Sequence, residues 1–426
     1  MENRDDFPSA GPIGGRFLSE MNESLAAAPL VHGFPVVFAV FAGILVGILL
    51  FHRRSLEIAL GGLGVILTLR LGFSDLRLAN HLAEEWVKLV NLFGLLVGFT
   101  LLADHFERSQ VPAQLPRLLP RGAWGCFALL LMIWLLSGVL DNIAAAMIGA
   151  TTAAALFARR VHLGYLAAIV GAANAGGAGS VVGDTTTTMI WLDGVSPLAM
   201  LPAYSGALTA LVVFGAFASW QQQRHAPLRR HEGGAPPVEL RHLAIVAVAL
   251  VSMVSTNVIS SGLGRGGEAP LPFLALALWL VLLIGGFVRP LNRALLPDAA
   301  RSGLFLVALV FSASLMPVQA LPAPSWKTTL GLGAISALFD NIPLTKLALS
   351  QGGYDWALLA YAVGFGGSMV WFGSSAGVVV ATAFPEARSA ARWLRAAWHV
   401  PLAFLAGFAV QYALHGWQPL LETGGP

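Results

Sequence analysis

Apolar runs recur along nearly the whole chain and are separated by short polar stretches. A helix of about 20 residues crosses the hydrocarbon core of a bilayer, because it rises about 1.5 Å per residue. The pattern therefore predicts an all-α polytopic membrane protein. The runs lie near residues 33–51, 55–73, 86–104, 122–140, 142–158, 163–192, 198–219, 242–260, 270–288, 303–320, 327–350, 354–383 and 397–416.

Two of these stretches contain a polar interruption. Asp141-Asn142 divides residues 122–158, and Asp340-Asn341-Ile342-Pro343 divides residues 327–350. Because proline removes a helical hydrogen bond, Pro343 helps to break the second stretch. We interpret both as re-entrant hairpins whose polar tips lie inside the membrane. Glycines and polar residues within 163–192 and 354–383 predict two broken transmembrane helices.

Parts of the sequence recur in the same order. The segment from Ser137 to Ile143 resembles that from Ser336 to Ile342, 199 residues later. Gly176-Gly177 and Gly183 recur as Gly366-Gly367 and Gly373, 190 residues later. Two matches in order predict internal repeats, which in transporters place a binding site near the midplane. The alternative is coincidence among glycine-rich helices that pack closely.

Arginines cluster between the apolar runs, and cytoplasmic loops are rich in such residues. Placing the clusters in the cytoplasm puts both termini outside and makes the two hairpins enter from opposite sides, so the repeats are inverted. Arms of the first hairpin that cross the membrane fully would give the same later orientation, so this rule does not separate the two cases. The predicted clusters are Arg53-Arg54, Arg108 with Arg117 and Arg121, Arg159-Arg160, Arg224 to Arg241, Arg289 to Arg301, and Arg388 to Arg395. The predicted organisation is a tail (1–30), N-terminal helices (31–85), a first repeat (86–220) with hairpin 122–158 and broken helix 163–192, a cytoplasmic linker (221–241), and a second repeat (242–420) with hairpin 327–350 and broken helix 354–383.

Composition narrows the class of protein. Hydrophobic residues make up 56% of the chain and charged residues 11%, and the formal net charge is +3. These values exclude a soluble enzyme, a disordered protein and a nucleic-acid binder. An intramembrane aspartyl protease is disfavoured because its Gly-x-Gly-Asp motif is replaced by Val181-Val182-Gly183-Asp184. We therefore expect no enzymatic activity and no bound cofactor.

Candidate ligands for an ion lie in the hairpin tips and the broken helices. Carboxylate, amide and hydroxyl oxygens suit hard cations such as Na⁺ or Li⁺, whereas zinc and copper prefer sulfur or imidazole. Asp184 and Asp340 are the predicted sodium ligands. The candidate cation- and proton-binding residues are Asp141, Asn142, Asn174, Ser180, Asp184, Thr185, Thr186, Asp340, Asn341, Ser368 and Ser374.

Alternatives remain for several of these residues. The alternative for Asp141 is a helix cap near the membrane interface, and the alternative for the two glycine-rich stretches is close helix packing. Lys346 lies inside an apolar arm, where it could pair with a carboxylate of the site and change the charge moved per cycle. It could also extend its amine to the outer interface.

The number of acidic residues suggests a mechanism. Asp141, Asp184 and Asp340 converge if the repeats pack around one axis, and three nearby carboxylates in a low-dielectric cavity need compensating positive charge. A cation and protons would then compete for the same oxygens, which produces antiport. A passive channel would not require acidic residues at both hairpin tips.

These motifs resemble NhaD-type sodium/proton antiporters of the ion-transporter superfamily, which also contains arsenite permeases and dicarboxylate carriers. The resemblance rests on Ala173 to Ala178, Gly183-Asp184, Thr186 to Met189, Asp340 to Leu344, and Gly366 to Ser368. It implies inverted repeats, two hairpins, a homodimer in a bacterial cytoplasmic membrane, and export of Na⁺ or Li⁺ driven by proton entry.

The chain departs from the family pattern at two places. Ile143-Ala144-Ala145-Ala146 replaces threonines after Asp141-Asn142, and Lys346 replaces a small or apolar residue. The alternative function is therefore an arsenite or carboxylate permease with the same fold.

Overall fold

The protein is almost entirely helical. The computed structural model describes residues 30–31, 34–51, 54–73, 76–114, 119–228, 237–262 and 271–419. Most of the predicted tail, together with Arg53, Arg117, Arg229 and Arg230, lies outside the described residues. Before the first helix, Leu30–Val31 (β1) and Phe34–Pro35 (β2) form a short antiparallel pair.

Eighteen α-helices follow in the described part of the chain. The first nine are α1 (Val36–Leu50), α2 (Ser55–Phe73), α3 (Leu78–Arg108), α4 (Val111–Gln114), α5 (Ala123–Ser137), α6 (Asn142–Leu156), α7 (Leu163–Gly177), α8 (Thr185–Leu192) and α9 (Ala203–His225). The others are α10 (Leu240–Gly262), α11 (Phe273–Val288), α12 (Leu296–Ser314), α13 (Trp326–Ser336), α14 (Asn341–Gln351), α15 (Trp356–Gly366), α16 (Ser375–Ala383), α17 (Ala390–Ala396) and α18 (His399–His415). Short 3-10 turns occupy Pro197–Met200, Arg293–Leu295, Val318–Ala320 and Pro385–Ala387.

Several helices have the length and apolar character of membrane spans. Four in the described ranges qualify individually, and a fifth span is formed if α17 and α18, which meet at 62°, are taken together. The prediction of an all-α polytopic membrane protein is confirmed. The four single spans are Ser55–Phe73, Leu78–Arg108, Pro197–His225 and Arg293–Ser314.

The observed helix boundaries correct one prediction. The run predicted at 86–104 belongs to α3, which has 31 residues and begins at Leu78. Because the residues near the start of this helix are polar, the apolar pattern predicts a boundary that lies too late in the chain. Lys88 is at the edge of the predicted run, but it lies ten residues after the start of the observed helix.

Helix breaks occur at the polar interruptions. α5 and α6 are separated at Asp141, and α13 and α14 are separated at Asp340. Between α7 and α8 the chain is non-helical around Ser180, and between α15 and α16 it is non-helical around Phe372. Each break exposes helix ends whose backbone groups lack partners within the helix.

Matching contacts in the two halves hold these breaks together. Ser137 donates a hydrogen bond to the carbonyl oxygen of Ala173, and Ser336 donates one of 2.7 Å to that of Val363. Ser336 lies 199 residues after Ser137, and Val363 lies 190 residues after Ala173. These are the same two offsets as in the sequence repeats. The chain therefore uses equivalent side chains to fasten the first helix of each pair to the first half of each broken helix.

Close backbone approach at glycines is also repeated. A Cβ at Gly176 would come within 2.0 Å of the Trp134 carbonyl oxygen, and one at Gly366 within 2.1 Å of the Gly333 carbonyl oxygen. Any larger residue would push the helices apart at both places. These glycines bring the ends of α7 and α15 against the helix pairs, where the polar residues collect.

Candidate functional site

Four helices begin near one another around a group of buried polar side chains. Asp141 precedes α6 and accepts a hydrogen bond of 3.2 Å from the Ile143 backbone amide. Asp340 precedes α14 and accepts one of 3.1 Å from the Ile342 amide. Asp141 therefore makes the hydrogen bond of a helix cap, as the alternative interpretation predicts. Asp340 makes the equivalent hydrogen bond at the start of α14. Asp184 precedes α8 but makes no such cap.

Asp184 lies at the centre of the group, with only 1% of its surface exposed. Its Oδ1 atom accepts hydrogen bonds from the side-chain amides of Asn142 at 3.0 Å and Asn341 at 3.2 Å. Asn341 also donates to the Thr186 hydroxyl at 2.8 Å. The tips of both helix pairs thus supply one amide each to the same carboxylate oxygen.

A second set of hydrogen bonds extends the group to the other broken helix. Asn142 donates to Asn174 Oδ1 at 3.1 Å. The Asn174 amide donates to the hydroxyls of Ser368 at 2.9 Å and Ser374 at 3.0 Å. Seven predicted site residues are therefore connected by direct hydrogen bonds: Asn142, Asn174, Asp184, Thr186, Asn341, Ser368 and Ser374.

The Oδ2 atom of Asp184 differs from Oδ1. It is buried and has no hydrogen-bond partner among the described residues. Gly364 of α15 lies against it, and a Cβ at this glycine would come within 2.9 Å of Oδ2. A buried carboxylate oxygen without a donor is costly, because its charge has been removed from water without compensation.

The other two aspartates lie near Asp184. Asp141 and Asp340 directly precede Asn142 and Asn341, whose side-chain amides both donate to Asp184 Oδ1. Asp340 also accepts a hydrogen bond of 3.1 Å from Ser375 and lines a cleft that extends along α12 to Asp298 and Ser302. The acidic side chains are therefore close together, and one of them borders an open path.

The remaining four predicted residues are Asp141 and Asp340, described above, and Ser180 and Thr185. The Ser180 hydroxyl donates to the Gly138 carbonyl oxygen at 2.6 Å and so joins the first tip to the non-helical segment. Thr185 is half-buried and borders a narrow cavity with Asp141. These positions give Ser180 a structural contact and leave Thr185 beside the aspartates.

Lys346 pairs with a residue that the sequence reasoning left without a role. Its amine donates to Glu85 of α3 at 2.8 and 2.9 Å, and its side chain is only 6% exposed. Its amine therefore pairs with a glutamate of α3 and not with one of the three aspartates, and its effect on the charge moved per cycle stays a prediction. Lys88 and Asp193 form a second ion pair nearby.

Sequence reasoning missed Glu85, Lys88, Asp193, Ser375 and Gly364. A charged residue within an apolar helix is a signal that could have identified the first two, since such residues are expensive in a membrane. Gly364 has no comparable signal, because its importance depends on the distant side chain it faces. The described residues contain no group of three or more His, Cys, Asp or Glu side chains placed to hold a metal ion.

Comparison with known proteins adds an independent observation. Over 285 residues, 57% of this chain, it is 27% identical to "Sodium/proton antiporter 2" of Arabidopsis thaliana. The chain is thus distantly similar to a plant protein named as a sodium/proton antiporter. It is also 26% identical over 282 residues to "Sodium/proton antiporter 1" of the same plant. The matches span 66% and 47% of those relatives' lengths, and no family model matches the chain.

Proposed function

We propose that this chain is a secondary active transporter that exchanges Na⁺ or Li⁺ for H⁺ by competition at intramembrane aspartates. The observation that carries the proposal is the buried carboxylate of Asp184, whose Oδ2 atom has no donor among the described residues. A sodium ion or a proton could satisfy that oxygen, and binding of one excludes the other. The names of the two plant relatives support the same cargo.

Charge balance supports a single positive cargo. Each helix N-terminus carries a partial charge of about +0.5, so the four converging ends supply about +2. Asp141, Asp184 and Asp340 supply three negative charges when they are ionised. One monovalent cation or one proton offsets the remainder. The nearby Asn, Ser and Thr side chains provide neutral oxygens that suit a hard cation.

The architecture we propose follows from the repeated helix breaks. The pairs α5–α6 and α13–α14 are re-entrant hairpins, and α7–α8 and α15–α16 are broken spanning helices of two inverted repeats. The arginine-rich loops face the cytoplasm, and both termini face outward. From the NhaD-type resemblance we add a homodimer in a bacterial cytoplasmic membrane.

The rival function is transport of arsenite or a carboxylate anion. The four converging helix N-termini favour it, because such ends attract anions. An anion would nevertheless meet three aspartates. Lys346 does not offset them, since its amine is held by both oxygens of Glu85. The cation therefore remains the better match to the charges around the site.

The proposal is tested in everted membrane vesicles from a host that lacks its own sodium/proton exchangers. Adding Na⁺ or Li⁺ should dissipate an imposed pH gradient when the chain is present. Asp184→Asn should abolish this exchange while the protein still inserts into the membrane. The neutral amide of asparagine cannot bind a proton and a cation in turn, as the carboxylate can. Glu239→Gln is the control, since this exposed carboxylate pairs with Arg289 away from the site.

Three results would contradict the proposal or a part of it. Indifference of the vesicles to both cations across the pH range would exclude cation exchange, and uptake of arsenite or a dicarboxylate would favour the rival. Retained exchange by Asp184→Asn would remove Asp184 from the mechanism.

A further inference from the structure

Two ion pairs lie side by side on one face of α3. Glu85 and Lys88 are three residues apart, so they project from the same side of the helix. Glu85 accepts from Lys346 at 2.8 and 2.9 Å, and Lys88 donates to Asp193. All four side chains border one narrow space, and we refer to Glu85, Lys88, Asp193 and Lys346 as the four-charge cluster.

The partners of α3 in this cluster belong to the two short helices that start at the candidate site. Lys346 lies on α14, which begins immediately after Asp340. Asp193 immediately follows α8, which begins after Asp184. Each short helix therefore follows a site aspartate and is tied to α3 by an ion pair, at the middle of α14 and directly after the end of α8. A movement of α3 away from the cluster would break both ion pairs.

The cluster and the cleft lie at opposite ends of the site. Along α3, Glu85 and Lys88 belong to the cluster, Leu92 to Phe99 border the narrow cavity at Asp141, and Thr100 lines the cleft. Glu85 and Thr100 are separated by about 22 Å at 1.5 Å per residue. The cleft connects the site to Asp298 and Ser302 on one side, and the cluster lies on the other side.

The two ion pairs of the cluster differ in burial. The side chains of Lys346 and Glu85 are 6% and 13% exposed, and those of Lys88 and Asp193 are 34% and 25% exposed. Paired charges of opposite sign occupy the space without offering a free ligand to a passing cation. Separating a buried pair leaves two uncompensated charges, so the closed arrangement holds until those charges are hydrated or rearranged.

We infer that the four-charge cluster closes the ion pathway opposite to the cleft and holds α8 and α14 in position, so that both ion pairs must separate when the ion passes on that side. This inference rests on the proposed exchange function, which gives the pathway its cargo. It assigns Glu85, Lys88, Asp193 and Lys346 as positioning residues that act on Asp184 and Asn341 through their helices.

The test measures access to a cysteine placed at the cluster. Cys126, the single cysteine of the chain, is replaced by alanine, and Met189→Cys introduces a thiol that borders the cluster. Ser302→Cys in the cleft is the control, and it identifies the vesicle orientation from which the cleft is open. Labelling by a membrane-impermeant maleimide is followed in right-side-out and everted vesicles.

Met189→Cys should react slowly from both sides in the parent protein. Lys346→Gln should raise its labelling rate at least tenfold from the side opposite the cleft and leave the cleft side unchanged. Lys346→Arg keeps the charge and should keep the slow rate. Glu85→Gln removes the α3 partner of the same ion pair. It replaces Lys346→Gln in the test if that variant does not insert into the membrane. Unchanged labelling of Ser302→Cys verifies that each variant is folded.

Two outcomes would overturn the inference. The first is that Lys346→Gln and Glu85→Gln both leave the labelling rate of Met189→Cys within twofold of the parent rate. The second is that Met189→Cys already reacts in the parent protein as fast as Ser302→Cys does in the cleft. Neither result depends on Na⁺ transport. A failure of the vesicle exchange assay with side-specific labelling intact would reject the cargo and retain the barrier.

Discussion

The two halves of the molecule share a backbone arrangement but differ in the chemistry they place on it. The Ser137 and Ser336 hydrogen bonds, and the close approaches at Gly176 and Gly366, occur at equivalent positions. Asp184, however, stands where the second half has Ser374, 190 residues later. The aspartate at the centre of the site therefore comes from the first half only, whereas each half supplies one of the tip aspartates, Asp141 and Asp340.

The residues that face these two positions differ as well. Asn174 donates to Ser374 at 3.0 Å, whereas the equivalent of Asn174 in the second half is Gly364, which has no side chain to donate to Asp184. The contact between Asn174 and Ser374 is therefore a hydrogen bond. At the equivalent place, the buried Oδ2 atom of Asp184 lies beside Gly364. Under the proposed function, this difference marks where the exchanged ion binds.

The largest expected effect comes from exchanging the two residues. In the double variant Asp184→Ser with Ser374→Asp, the carboxylate moves to the half in which Asn174 can donate to it. Its oxygen is then satisfied, so we expect sodium/proton exchange in vesicles to fall about 100-fold, equivalent to roughly 2.7 kcal/mol.

Adding Asn174→Gly and Gly364→Asn to that double variant rebuilds the original contacts in the opposite half. Partial recovery of exchange is expected, because the carboxylate oxygen again lacks a donor. Full activity in the double variant alone would show that the difference between the halves has no role.

A smaller effect is expected at Gly364. The methyl group of Gly364→Ala would come within 2.9 Å of Asp184 Oδ2 and occupy the space beside it. We expect exchange to fall about tenfold, or roughly 1.4 kcal/mol. Gly331→Ala is the matched control, since a Cβ there meets nothing within 4 Å. Equal activity of the two variants would mean that the space beside Oδ2 is not used.

The sequence was sufficient to predict where the helices break. Asp141-Asn142 and Asp340-Asn341 interrupt apolar runs, and α6 and α14 begin within one residue of those interruptions. The pattern is informative because an acidic residue followed by an amide caps a helix and cannot be left unpaired in lipid. Such local signals also identified the seven residues joined by hydrogen bonds.

The long-range pairs were not predictable from these signals. Lys346 and Glu85 are 261 residues apart, and nothing in the local pattern of either residue identifies the other. The polar residues at the start of α3 are typical of a helix end at the membrane interface, although the helix continues through them. Gly364 resembled other glycines of a close-packed helix, because its neighbour Asp184 lies on a different element.

The smallest effects are expected where the halves are alike. Ser137→Ala and Ser336→Ala each remove one buried hydrogen bond to a backbone carbonyl, at a cost of about 1 kcal/mol in stability. Thr68→Ala, which removes a similar bond on an exposed surface, is the control. Unfolding in detergent can be followed with a thiol-reactive fluorophore, because Cys126 is buried. Both serine variants should lower Tm by similar amounts and keep sodium/proton exchange. A large loss in only one of them would show that the shared scaffold is itself unequal, and the difference between the halves would then not reside in Asp184 and Gly364 alone.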